Sequence, residues 1–204
     1  MIHTDSMNVK SKKAEQSEVT RSALIGAAKE LFTEHGYAET ATEQIVQRAG
    51  VTRGALYHHF RNKEDLFLAV FEVVEQEFGE AVAAASMSQG GGQWERLSAG
   101  FQGFLDGCLE PAVQRIVLLD ALSVLGWETY RSVEDKYGLA MMQHGLQVAM
   151  DAGVLDPQPA APLAHLLLSA LHEAGMVIAR ADDVQAARAE MGAAVDRLLK
   201  GLRA

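Results

Sequence analysis

Apolar residues return every three or four positions along most of the chain and almost nowhere every second position, so the pattern predicts helices and no sheet. Leu24, Ala28 and Leu31, flanked by Ile25 and Phe32, predict a helix over 19–35 that Gly36 ends. Ile45 and Ala49 share one face of a short helix, and Gly50 stands where a left-handed cap favours glycine. A second short helix runs from about Arg53 to Phe60, with Leu56 and Phe60 on its inner side. Leu66, Val70, Val73 and Val74 open a long helix from Lys63 to about Ala85. The stretch SMSQGGGQ (86–93) reads as a surface loop. Helices then follow over 94–109, from Pro111 to about Gly126, over 127–152 up to Gly153, over 162–180 and over 184–202. The expected fold is all-α with about nine helices.

Residues 40–63, TATEQIVQRAGVTRGALYHHFRNK, concentrate the local signals. Thr40 and Glu43 have the spacing of a capping box, Thr52 is placed to cap the next helix, and Asn62 the one after it. Two short helices about a Gly-containing turn make a helix-turn-helix layout. The second helix turns hydrogen-bonding side chains outward. Arg53 suits base edges. Thr42, Thr52, Tyr57, His58 and Lys63 suit phosphate oxygens, with Lys63 at the first position of its helix.

Residues 21–67, and above all AGVTRGALYHHFRNKEDLF (49–67), resemble the DNA-binding domain of TetR-family transcriptional regulators. The resemblance implies an N-terminal DNA-binding domain, a larger C-terminal ligand-binding and dimerisation domain, and a homodimer. It implies a repressor on a palindromic operator, released when a small apolar or amphipathic effector binds. The helix over 63–85 would connect the two halves. A helical protein-interaction module, or a small-molecule carrier that no longer reads DNA, is the alternative.

Charge fits this division. Residues 1–63 carry nine Lys/Arg against seven Asp/Glu, or +2, and the rest nine against 20, or −11. A slightly basic head on an acidic body suits a DNA reader that does not stick through its body. The expected parts are a disordered basic tail over 1–17 with Lys10, Lys12 and Lys13, a helix-turn-helix domain over 18–66, and a helical domain over 67–204. A single cysteine, Cys108, excludes an intrachain disulfide and fits a reduced cytoplasm. No apolar N-terminal segment predicts secretion, and no apolar run predicts a membrane span.

Helices 162–180 and 184–202 present a broad apolar face; with the resemblance, this implies a dimer interface through Leu163, Leu167, Ala170, Leu171, Ala174, Ile178, Met191, Val195 and Leu198, the alternative being that the pair only closes the monomer's own core. The aromatic and methionine-rich helices over 94–152 fit plain core. With the resemblance, they also offer an effector cavity lined by Phe101, Phe104, Leu105, Cys108, Trp127, Tyr130 and Met141, with Asp120 and His172 as polar groups. His165 and His172 lie about 10 Å apart along one helix face, too far to share a metal, so no metal site is expected. No nucleophile elbow, phosphate loop or dinucleotide fingerprint occurs, so neither an enzyme nor a cofactor is expected.

Overall fold

The computed structural model describes the backbone of residues 5–88 and 90–204, and side chains from residue 14 onward, residue 89 excepted. The described residues form nine α-helices and two π-helical segments, with no strand. They fall into two compact units, Met1–Val70 and Phe71–Ala204. The sequence pattern placed this division four residues earlier.

The first unit holds α1 (Asp5–Glu39), α2 (Thr42–Ala49), α3 (Arg53–His59) and the first turns of α4 (Lys63–Ser88). Helix α1 begins at Asp5, where a disordered tail was expected over 1–17. No glycine or proline interrupts residues 5–25, so nothing local stops the helix from continuing toward the N-terminus. The side chains of Lys10, Lys12 and Lys13 lie outside the described residues. Near its other end α1 breaks at Gly36, whose φ of +80° a side chain would oppose. Leu24, Ala28 and Phe32 of α1 close over Ile45, Leu56, Leu66 and Phe67, all buried. Phe32, Tyr37 and Phe67 meet as an aromatic trio with centroids 5.2–5.8 Å apart. Each such ring or branched side chain contributes about 1.5–3 kcal/mol on burial, which a unit this small needs.

The expected Thr40–Glu43 capping box is corrected. Helix α2 starts one residue later, with Ala41 at its N-cap and the Gln44 carboxamide oxygen accepting from the Ala41 N–H at 2.8 Å. Thr40 is buried instead, and its hydroxyl lies 2.8 Å from the Gly36 carbonyl and 3.2 Å from that of Leu31. It therefore closes the end of α1, whose last carbonyls have no intrahelical partners.

The second unit holds the rest of α4, then α5 (Gln93–Gly107), a π-helical segment Val113–Asp120, α6 (Ala121–Glu134), a second π-helical segment Asp135–Leu139, α7 (Ala140–Asp151), α8 (Ala160–Ala179) and α9 (Val184–Lys200). Gly126, at φ +72°, breaks α6 where the sequence placed a helix end. Gly103 lets α5 cross α4 closely, since a Cβ there would stand 2.6 Å from that of Ala85. Gln102 and Arg188 join α5 to α9: Gln102 donates to the Gly192 carbonyl and Asp196, and Arg188 to Asp106 and the Gln102 carbonyl. Helix α8 is long and apolar enough to cross a membrane by length and composition. Its Leu163, Leu167, Leu168, Leu171, Ala174 and Ile178 are buried within the protein, so that face of the helix serves the core.

Candidate functional site

In the first unit the helix-turn-helix forms from its own local signals. Gly50 takes φ +66° and the Val51 N–H returns to the Val46 carbonyl at 3.0 Å, closing α2 in a left-handed cap. Thr52 caps α3 by accepting from the Ala55 N–H at 3.2 Å. Asn62 caps α4 by accepting from the Asp65 N–H at 2.7 Å. With Leu56 and Phe60 buried below, α3 is left exposing Arg53, Gly54, Tyr57 and His58.

Arg53 is the one arginine of α3. Its guanidinium reaches Glu43 at 3.0 Å, both side chains being well exposed, and sits 5.5 Å from the centre of the Tyr57 ring. An exposed pair of this kind holds little energy, so the guanidinium can exchange Glu43 for a phosphate or a guanine edge. Glu43 is held below the usual carboxylate range by its backbone hydrogen bond, then the Thr42 hydroxyl and, less, the Arg53 charge, against an opposing effect of desolvation. Thr42, half-buried at the start of α2, spends its hydroxyl on Glu43 at 3.2 Å. His58 is exposed and stacks edgewise on His59 at 5.2 Å.

Lys63 departs from its expected role as a phosphate holder. Its ammonium donates to the carbonyls of Tyr37 at 2.8 Å and Thr40 at 3.0 Å and lies 4.1 Å from the centre of the Tyr37 ring. The side chain is half-buried and binds the α1–α2 corner to the start of α4.

Gly54 went unnoticed in the sequence. Space for a Cβ exists there, the nearest atom being the Thr52 hydroxyl oxygen at 3.8 Å. The fold does not require glycine on this exposed helix surface, where it costs stability relative to alanine. A smooth surface for close approach of another molecule is the remaining use. The signal was present: glycine inside a short helix beside the arginine.

The second unit holds a partly open cavity of about 350 Å³ between α4, α5, α6, α7 and α8, within the range of small-molecule sites. Of the expected lining residues, Phe101, Phe104, Met141 and His172 stand on its wall. The others do not. Leu105 and Cys108 are buried in core contacts; Cys108 faces Gly175, and burial pushes its thiol up to about 12. Asp120 pairs with Arg115 at 3.2 Å. Trp127 is 63% exposed, because the turn at Gly126 carries it outward. Tyr130 stacks on Phe71 at 5.8 Å, and burial with nearby carboxylates raises its hydroxyl pKa. Helical spacing identifies apolar residues without saying which way a glycine break turns them.

The sequence reading also missed wall residues, chiefly Glu75, Phe78 and Val82 of α4 and Glu134 of α6. The signal was an acid inside an apolar stripe: Glu75 interrupts Phe71, Phe78 and Val82 at helical spacing. Glu134 accepts from His172 Nδ1 at 2.7 Å and pairs with Arg131. Burial alone would raise its carboxyl, but its contacts with His172 and Arg131 outweigh burial and hold it below the usual range. Burial pushes the Glu75 carboxyl up to about 7, with His172 pulling back and Glu134 adding to the rise. Among the described residues, no group of three or more His, Cys, Asp or Glu side chains could hold a metal ion.

The expected dimer residues divide in an unexpected way. Leu163, Leu167, Leu171, Ala174, Ile178 and Val195 are buried inside the chain's own core. Exposed apolar surface lies on the other side of α8, at Leu166 (71% exposed), Ala170 and Val177, and on α9 at Leu198 (48% exposed), with Met191 half-buried. Both faces of α8 are apolar, so the pattern alone could not tell which one the monomer covers.

Two family descriptions match the chain. Residues 24–70 match "Bacterial regulatory proteins, tetR family", and residues 94–202 match "Tetracyclin repressor-like, C-terminal domain". A solved TetR-family transcriptional regulator from Pectobacterium atrosepticum is 35% identical and superposes with a TM-score of 0.81, over 93% of this chain and 96% of that one. The Transposon Tn10 TetC protein of Escherichia coli is 27% identical over 131 residues, 64% of this chain and 66% of its own length. The regulator AcrR of Shigella flexneri is 39% identical over 69 residues, 34% of this chain and 32% of its own length. With a C-terminal match over more than half of its length and the helix-turn-helix match before it, the chain belongs to the TetR family of bacterial transcriptional regulators.

Proposed function

We propose that the protein is a cytoplasmic, ligand-responsive repressor that binds a palindromic operator as a homodimer and leaves it when a small molecule fills the cavity of the second unit. The observation that carries this reading is α3, a helix closed on an apolar core below and offering Arg53, Gly54, Tyr57 and His58 above. Arg53 reads a base edge, while Thr52, Tyr57 and His58 hold phosphates and set the register. Two copies enter successive major grooves roughly 34–36 Å apart. The apolar stripe of Leu166, Ala170 and Val177 on α8, with Met191 and Leu198 on α9, joins the copies.

Helix α4 begins directly after the helix-turn-helix and carries Glu75, Phe78 and Val82 of the cavity wall. An effector that prefers one position of α4 shifts the protein toward the state with that position, by no more than its difference in affinity for the two states. Selection of bound fragments from random double-stranded DNA at two salt concentrations tests the reading. An enriched palindrome whose binding weakens as salt rises supports it. No enrichment at low salt refutes it and favours a helical interaction module or a carrier.

A further inference from the structure

Glu75 is one of two buried acids among the described residues, and the two are treated differently. Glu134 has both His172 and Arg131. Glu75 is 5% exposed, stands on the cavity wall, and its Oε1 has no hydrogen-bond partner. A buried carboxyl oxygen left unpaired is costly, and such groups in folded proteins call for an explanation. Here the residue that carries the unpaired atom belongs to a cavity wall that is otherwise mostly aromatic and aliphatic, built by Phe78, Phe101, Phe104, Met141 and Leu171.

We propose that the cavity takes an amphipathic ammonium compound, its apolar body among Phe78, Phe101, Phe104 and Leu171 and its N–H donors on the Glu75 carboxyl. This rests on reading the cavity as the effector site. A carboxylate ligand would meet Glu75 and Glu134 as like charges. A neutral alcohol would satisfy one oxygen and leave the charge of Glu75 uncompensated. A protonated amine supplies both the donor and the charge, and the rings of Phe78, Phe101 and Phe104 add favourable faces for a cation.

The groups that set the local charge come from every helix around the cavity. They are Arg96 of α5, Glu134 of α6, His144 of α7 and His172 of α8, with Arg131 on Glu134 and Cys108 and Tyr130 near enough to feel the Glu75 charge. An ammonium binds the ionised form of Glu75. With that carboxyl at about 7, affinity rises roughly tenfold between pH 6 and pH 8. Other charged groups face the same cavity, so the Glu75 share is read from its removal.

The test titrates the full chain with 4-phenylbutylamine, 4-phenyl-1-butanol and 5-phenylpentanoate at pH 6 and pH 8, for wild type and Glu75→Gln, by ligand-observed NMR. The expected result at pH 8 is that the amine binds at least tenfold more tightly than the alcohol, with the carboxylate weakest. Amine binding should weaken about tenfold at pH 6. Glu75→Gln should lose the amine preference and most of the pH dependence while alcohol binding persists. Equal binding of alcohol and amine by wild type overturns the ammonium assignment and leaves the cavity as a ligand site. Unchanged amine binding by Glu75→Gln overturns the role of Glu75. Failure of all three probes to bind overturns the cavity reading and this inference together.

Discussion

Glu75→Gln carries a stability prediction that needs no ligand and no DNA. The substitution keeps the shape of the side chain and removes its titration. In the folded protein the carboxyl is raised from 4.5 to about 7. Between those values the folded chain holds a proton that the unfolded chain has lost. Stability contributed by this group therefore falls as pH rises through that window and levels off above about 7, opposite to the common case of a salt-bridged carboxylate. The full shift corresponds to about 3 kcal/mol, reached by pH 8, and about 1 kcal/mol is already lost at pH 5. Packing and hydrogen-bond differences between Glu and Gln are the same at both pH values to first order. The other charged groups around the cavity are present in both proteins. The quantity to measure is the change in ΔΔG between pH 5 and pH 8, by urea unfolding at one fixed protein concentration. Glu75→Gln should gain about 2.5 kcal/mol relative to wild type over that interval. A change near zero, or of opposite sign, would mean that Glu75 titrates as an ordinary glutamate and that its carboxyl is not buried as the structure places it.

Arg53→Ala should weaken operator binding by about 1–3 kcal/mol and relax one base position, measured by fluorescence anisotropy on the selected palindrome; no change in either would remove Arg53 as the base reader. Gly54→Ala should raise thermal stability, by at most about 0.5–1 kcal/mol, yet weaken DNA binding, and full DNA affinity in a more stable variant would refute the close-approach argument. Lys63→Met should cost about 1.5–3 kcal/mol, since its ammonium serves two carbonyls. The salt slope of DNA binding should be unchanged, whereas loss of a phosphate contact would reduce it by about one. Leu166→Arg combined with Val177→Arg should give a folded monomer by light scattering, because both positions are exposed; a dimer that persists would place the interface elsewhere.

The helix-turn-helix was legible because its determinants are local. Gly50 requires a left-handed cap, Thr52 and Asn62 cap within three residues, and Leu56 and Phe60 can only face inward if Arg53 and His58 face out. Gly36, Gly126 and Gly153 marked breaks for the same reason, each taking a positive φ. The capping box at Thr40 was misread because two hydroxyl partners were available. A buried carbonyl left by α1 took the hydroxyl, and no sequence spacing shows that carbonyl. Lys63 was misread in the same way, its partners lying 23 and 26 residues earlier in the chain.

The second unit divides along the same line. Periodicity was enough for its helices and for the chemistry available on them, since a helix face follows from residues three and four apart. Which face is covered is a property of several helices at once. Leu167 and Leu166 are neighbours of identical chemistry, and only packing against the rest of the unit buries one and leaves the other exposed. The cavity wall is likewise a meeting of five helices, so Trp127 fell outside it while Glu75, an acid in an apolar stripe, became its one orphaned polar atom among the described residues. Backbone hydrogen bonds and caps act over a few residues and are written in order along the chain, whereas burial and the pKa values it moves arise between segments far apart in it.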